Sequence, residues 1–286
     1  MSILVRRTGA FGDVVLTTPV IRRLRRENPD AEIAVQTAYP GVFARSPHRV
    51  ATLPPGPPPY PWTEHGGVGR TIDLDLAYER RPTTHIVNAF MLNAFGDEGE
   101  PGDRGQELAY EKLDQWPAKP RVVVVHAAKA GWRNRTLPEA TWVEAVNLLR
   151  AAGCFPIVVG TMRDALPKAR CAAFHSEDAL ATAALIARAA CFVGSDSGLL
   201  HVAGATDVPI VGVFTCALAE TRLPWRNGTL GERCEAVVPP LDCVGCLARA
   251  PIPATAESCE RGDIACVTAV TAEAIVSAAL RLMDAG

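Results

Sequence analysis

Apolar positions along this chain fall into short β-branched runs that alternate with longer stretches at helical spacing. Ile3-Leu4-Val5-Arg6-Arg7 reads as a strand, after which Val14, Val15, Leu16, Val20, Ile21 and Leu24 recur with a helical period. Pro19 inside that run marks a helix start after Thr17-Thr18, or a kink. Glu32-Ile33-Ala34-Val35 reads as a second strand, and the alternating Thr71-Ile72-Asp73-Leu74-Asp75-Leu76 as another. The later half repeats this rhythm. Val122–Val125 reads as a fully buried strand, followed by a helix over 138–152, a strand over 155–159 and a helix near 181–189. Strands over 191–194 and 209–214 come next, and a helix from Val270 to Met283, with Thr271 as its N-cap, closes the pattern. Such alternation predicts parallel sheets joined by crossover helices.

The breakers divide the chain. The proline-rich Leu53–Pro61 stretch is neither helix nor central strand, and Gly96–Asp103 reads as an acidic, flexible loop. Gln115-Trp116-Pro117-Ala118-Lys119-Pro120 reads as a linker, which places one domain at 1–116 and a second at 117–286. Two similar halves predict two Rossmann-like domains facing across a cleft. A length of 286 residues accommodates both. A net charge of −2 leaves no electrostatic footprint for nucleic acid. The chain opens directly on a strand and contains no apolar run of about 20 residues, so the expectation is a cytoplasmic protein without a membrane span. The basic run Arg22-Arg23-Leu24-Arg25-Arg26 reads as a solvated helix face, or as a peripheral contact with anionic lipid or an acidic acceptor.

Chemistry concentrates at two strand–turn–helix junctions. In Val193-Gly194-Ser195-Asp196-Ser197-Gly198-Leu199-Leu200-His201, an apolar run ends in small residues and an acid before a helical segment. Two readings stay open. Asp196 or Ser197 caps a helix, or the turn holds an anion such as a diphosphate. In Thr8-Gly9-Ala10-Phe11-Gly12-Asp13, Asp13 is either an N-cap or a carboxylate at a strand's C-terminal end, where a general base would sit. Neither G-x-G-x-x-G nor G-x-x-x-x-G-K-[ST] occurs, which disfavours an NAD-dependent oxidoreductase and a P-loop enzyme.

Ile3 to Thr37 resembles the amino-terminal signature of glycosyltransferase family 9, the ADP-heptose:lipopolysaccharide heptosyltransferases. VVVVHAAKAGWRNRTLP, at Val122–Pro138, resembles the start of that family's second domain, and FVGSDSGLLHVAGATDVPIVGVF its donor-site turn. A cysteine-bearing tail and a final helix complete the order. The chain is short for the family, and the middle, from about Tyr39 to Gln115, matches poorly. The resemblance implies a GT-B fold of two Rossmann-like domains, with the last helix packing back on the first domain. It implies inverting, metal-independent transfer of a heptose from an ADP-linked donor to an acceptor hydroxyl: a glycolipid core, a protein, a small molecule or a modified base. It places the base at Asp13, the diphosphate on the amides of Ser197, Gly198 and Leu199, and the donor sugar against Asp196. His201 follows on the same helix. Where the family has a Lys before a Trp-Pro pair, this chain has Arg135, with Arg133 and Lys129 as alternatives in the same loop. Thr8, Gly9 and Gly12 would line the first-domain side. Asp164 would bind the ribose or merely cap a helix. A non-catalytic nucleotide-sugar-binding protein is the alternative, disfavoured by the presence of both Asp13 and Asp196.

The nine cysteines divide into two groups. Cys154, Cys171, Cys191, Cys216 and Cys234 are scattered and read as small apolar residues. Cys243, Cys246, Cys259 and Cys266 form C-x2-C-x12-C-x6-C, a donor set suited to a structural Zn or Fe remote from the transfer chemistry. Reduced free thiols or disulfides are the alternatives.

Overall fold

A computed structural model describes residues 1–56, 69–113, 116, 121–129, 131–250 and 259–285. The first sheet is built from β1 (Ser2–Arg6), β2 (Glu32–Gln36), β3 (Val50–Leu53) and β4 (Arg70–Asp73), all parallel, in the order β3-β2-β1-β4. Val5 lies opposite Val35 on one side and Ile72 on the other, so the buried centre of β1 is β-branched on every neighbour. Between β1 and β2 run α1 (Phe11–Val15) and α2 (Thr18–Glu27). The break between them falls at Leu16-Thr17, and Pro19 occupies the first turn of α2 as the sequence predicts. β4 is shorter than expected. The Asp73 carboxylate accepts from the Asp75 amide at 2.9 Å, and this Asx turn ends the strand before Leu76. The patterning missed β3 and the apolar helix α3 (Ile86–Phe95). α3 is buried on nearly all sides, so it lacks a polar face to reveal its period.

The second sheet holds β5 (Val122–His126), β6 (Phe155–Gly160), β7 (Ala172–His175), β8 (Cys191–Ser195), β9 (Ile210–Val213) and, after a short hairpin of β10 (Trp225–Arg226) and β11 (Thr229–Leu230), β12 (Cys234–Val237). Its order is β12-β9-β8-β5-β6-β7, parallel throughout. All five residues of β5 are buried, as its valine run requires. The crossovers use α4 (Glu139–Ala151), α5 (Ala179–Ile186) and α6 (Gly198–Gly204). The edge strands β7 and β12 were not legible, because Ala172-Ala173-Phe174-His175 and Cys234-Glu235-Ala236-Val237 alternate too weakly. The fold is GT-B: two parallel α/β sheets, each reversing its strand order beside its first strand. The reversals, between β1 and β4 and between β5 and β8, open crevices at the carboxyl ends of those strands, where open α/β sheets take ligands.

Two expectations are corrected. The closing helix α7 (Ala272–Asp284) begins with Thr271 Oγ1 accepting from the Ala274 amide at 3.2 Å, as foreseen. Yet its buried face of Ile275, Val276, Ala278 and Ala279 packs on α4, β8, β9 and β12. It completes the second domain's outer layer instead of returning to the first, because its apolar stripe is taken up there. The basic run on α2 also has its acidic partner within the chain. Arg22 bonds Glu107 at 3.1 Å, Arg23 bonds Asp97 at 2.9 Å, and Arg26 bonds Asp103 at 2.6 Å. The acidic loop is thereby strapped to α2. Most of the linker, and the loop beyond Gly56, lie outside the described residues. No helix among the described residues is long and apolar enough to cross a membrane.

Candidate active site

The crevice of the first sheet carries Arg7 and Asp13 after β1 and Tyr78 and Glu79 after β4. Buried Arg7 pairs with Asp13 Oδ2 and donates to the Leu74 carbonyl at 3.0 Å. The Tyr78 hydroxyl donates to the same Asp13 oxygen at 3.2 Å. Burial pushes the Tyr78 phenol up, and Asp13 adds to that, so it remains a donor. The Arg7 guanidinium also lies 5.3 Å from the centre of the Tyr78 ring. The candidate base is therefore oriented by two donors, and it faces a cavity of about 270 Å³.

The second domain closes that cavity with Arg135, Thr221 and Arg222, together with Trp132 and the tail residues Leu247, Ala248 and Ala250. Asp196, buried just after β8, has Arg135 at 3.5 Å and Arg222 at 4.0 Å from Oδ2. Burial opposes the Asp196 charge, but Arg135, Arg222 and His201 outweigh it and hold the carboxyl below its usual range. Both distances exceed a hydrogen bond. Asp196 Oδ2, Arg135 Nε and His201 Nδ1 are buried atoms without a hydrogen-bond partner among the described residues. Native interiors seldom leave such atoms unpaired.

His201 sits where the domains touch. A Cβ placed on Gly12 would lie 2.8 Å from both Gly198 Cα and the His201 ring, and one placed on Gly198 would lie 2.4 Å from Phe11. Glycine at both positions lets α1 and α6 meet backbone to backbone. Burial first, and then Arg222 and Arg135, lower the His201 pKa to about 4 against the opposing pull of Asp196 and Asp13. His85, whose ring contacts the Leu223 carbonyl at 2.8 Å, is lowered by burial to about 3. Both are neutral in the fold and ordinary when unfolded. Their stabilisation is therefore complete above the unfolded value near 6.5 and is lost as pH falls from there toward 4. Each costs about 2 kcal/mol at pH 5, so the melting temperature is expected to drop steeply between pH 7 and 5, and less in His201→Gln. Equal pH dependence in that variant would mean that His201 is not buried neutral.

On the other side of the α1–α6 contact lies a second cavity of about 500 Å³, lined by His126, Gly160, Thr161, Asp164, Gly198, Leu199 and Tyr39 among others. His126 Nδ1 is 3.0 Å from Ser197 Oγ, and its Nε2 is 3.8 Å from Asp164. Asp164 forms a capping box with Thr161, accepting from the Thr161 amide at 2.9 Å and hydroxyl at 3.0 Å, so it is a cap on the cavity wall.

Residues 99–230 match the family model "Glycosyltransferase family 9 (heptosyltransferase)". That span is just under half of the chain and includes Arg135, Asp196, His201 and Arg222. Solved structures agree in fold. The glycosyl transferase family 9 from Veillonella parvula is 14% identical and superposes with a TM-score of 0.72 over 100% of this chain and 98% of its own. The dodecameric iron-containing heptosyltransferase TibC of enterotoxigenic E. coli, in complex with ADP-D-beta-D-heptose, is 14% identical, with a TM-score of 0.73 over 99% of this chain and 76% of its own. E. coli ADP-heptose lps heptosyltransferase II is 16% identical, with a TM-score of 0.65 over 100% and 99%. No curated protein sequence matches the chain.

The structure brings Asp13 of the first crevice together with Arg135, Asp196 and His201 of the matched span, and sorts the remaining candidates. Of the basic loop, only Arg135 turns to Asp196. Lys129 is bound to Glu139 at 2.6 Å and the Ala165 carbonyl at 2.9 Å, and Arg133 is exposed. Thr8 is consumed by Asp75, through its amide at 3.1 Å and hydroxyl at 3.0 Å. Gly9 borders open space. Gly12 and Gly198 serve the interdomain contact, while Gly198 and Leu199 also wall the second cavity. Four residues that were not among the sequence candidates also line the two cavities: Arg7, Tyr78, Arg222 and His126. Arg7 adjoins the Thr-Gly loop, and His126 ends the valine strand. Tyr78 and Arg222 carry no sequence signal.

Proposed function

We propose that the chain is an inverting glycosyltransferase that moves a heptose from ADP-heptose to an acceptor hydroxyl, with Asp13 as general base. The observation that carries this reading is the shared cavity, where a carboxylate from the first crevice faces Arg135 and Arg222 from the second. The acceptor oxygen bonds to the anomeric carbon as its proton passes to Asp13, and the diphosphate departs from the opposite face with the electron pair. Arg135 meets the charge that develops on it, where a positioned cation is most effective. The nucleoside occupies the second cavity, with the ribose toward His126 and Thr161. TibC and heptosyltransferase II, the one in complex with an ADP-heptose and the other named for it, support this choice of donor. A thermal-shift series with ADP-, UDP-, GDP- and TDP-sugars tests it. The ADP-linked sugar should stabilise the protein most, and a larger shift with another base would reassign the donor.

The four tail cysteines supply soft donors in the number a structural Zn or Fe takes. Burial and neighbouring thiols, Cys216 among them, raise Cys246 and hold Cys266 near 11, so the tail thiols lie close enough to influence one another. No group of three or more His, Cys, Asp or Glu among the described residues is placed to hold an ion. The proposed structural metal would draw these thiols together. Leu247 and Ala248, beside Cys246, wall the cavity that holds Asp13, and we take the metal to border the transfer site instead of lying remote from it. Purified protein should carry about one Zn or Fe per chain. Cys243→Ser should release it, lower the melting temperature and reduce transfer beyond the loss of folded protein. Metal-free protein with unchanged melting would end the metal reading.

A further inference from the structure

Arg222 lies outside the motifs that carry the family resemblance, yet it occupies the centre of the site. Its side chain is buried, lines the cavity that holds Asp13, and reaches Asp196 Oδ2 at 4.0 Å, the same oxygen that Arg135 approaches at 3.5 Å. Its guanidinium lies 5.0 Å from the centre of the Tyr78 ring, on the facing domain. Its hydrogen bonds go to its own neighbour, the Thr221 carbonyl and hydroxyl, both at a long 3.3 Å. Asp196 Oδ2, within 4.0 Å of both guanidiniums, has no hydrogen-bond partner among the described residues. A buried Arg222 and a part-buried Arg135 thus share one carboxylate oxygen without hydrogen-bonding it, and the cavity they line has room for a further anion.

We propose that Arg222 is a second cation for the departing nucleoside diphosphate, acting with Arg135 on the phosphate bonded to the sugar; this rests on the transferase reading above. As the acceptor oxygen bonds to the anomeric carbon, the bond from that carbon to the phosphate oxygen breaks. The electron pair stays with the diphosphate, which gains one negative charge, and the acceptor proton passes to Asp13. Two guanidiniums flanking Asp196 can each offer N–H donors to that phosphate while Asp196 orients them. The Tyr78 ring holds the Arg222 plane. Because Tyr78 also donates to Asp13, it links the base of one domain to the leaving-group cation of the other.

Calorimetric titration of wild type, Arg222→Gln and Arg222→Lys with ADP and with AMP tests the assignment. In Arg222→Gln, ADP affinity should fall about 10- to 100-fold and AMP affinity less than threefold, collapsing the preference for the second phosphate. Arg222→Lys, which keeps the charge without the fork, should fall between. Unchanged ADP affinity in Arg222→Gln overturns the proposal. So does an equal loss for ADP and AMP, the signature of a merely structural arginine. Wild type that binds no nucleoside diphosphate overturns the transferase reading itself.

Discussion

Asp13→Asn is expected to lower turnover by roughly 10²- to 10⁴-fold while leaving donor affinity nearly unchanged, the loss that removal of a general base produces. Asparagine keeps the shape of the side chain and an oxygen for the Tyr78 hydroxyl but cannot take up a proton at neutral pH. Arg7 loses its nearest counter-ion, though Glu79 at 3.6 Å and Asp75 at 3.9 Å still flank it, so the fold should survive the exchange. Initial rates, with donor affinity measured by calorimetry on the same preparation, separate the two effects. Near-normal turnover would remove Asp13 from the mechanism.

Gly12→Ala is expected to cost about 1–3 kcal/mol of stability, the range for inserting a methyl group where packing is already tight. The new Cβ would lie 2.8 Å from Gly198 Cα, a backbone atom that cannot turn aside, and equally close to the His201 ring. α1 and α6 must therefore separate, and that shift moves Asp13, the next residue, relative to Arg135 and Arg222. Melting temperature and turnover should fall together. A variant that melts and turns over like wild type would mean that the helices are not packed backbone to backbone.

The second domain was largely legible because its strands are β-branched runs buried on both faces, and Val122–Val125, Cys191–Gly194 and the Ile210 region announce themselves. The first domain was less so. α3 shows no polar face, and the strand at Thr71 is cut short by an Asx turn whose acids resemble the polar half of a β alternation. Within the site, Asp13, Arg135 and Asp196 were legible because each follows a strand at a glycine-rich or basic turn. The choice of Arg135 over Lys129 and Arg133 was not, since all three are cations in one loop, and only burial of Asp196 beside one of them decides it. Tyr78 and Arg222 escaped because their roles arise from topology. One follows the strand that pairs with β1, the other follows β9, and they meet only when the two crevices face each other. Asp164 caps its own turn and also lines the second cavity, so neither of its two sequence readings excludes the other.

A structure of the chain with ADP-heptose tests the central claim most directly. It should show the diphosphate against Arg135, the nucleoside beside His126 and Thr161, and the heptose in the cavity with its anomeric carbon open to attack from the side of Asp13. A donor whose diphosphate lies away from Arg135, or whose sugar lies where Asp13 cannot reach an attacking hydroxyl, would contradict the account.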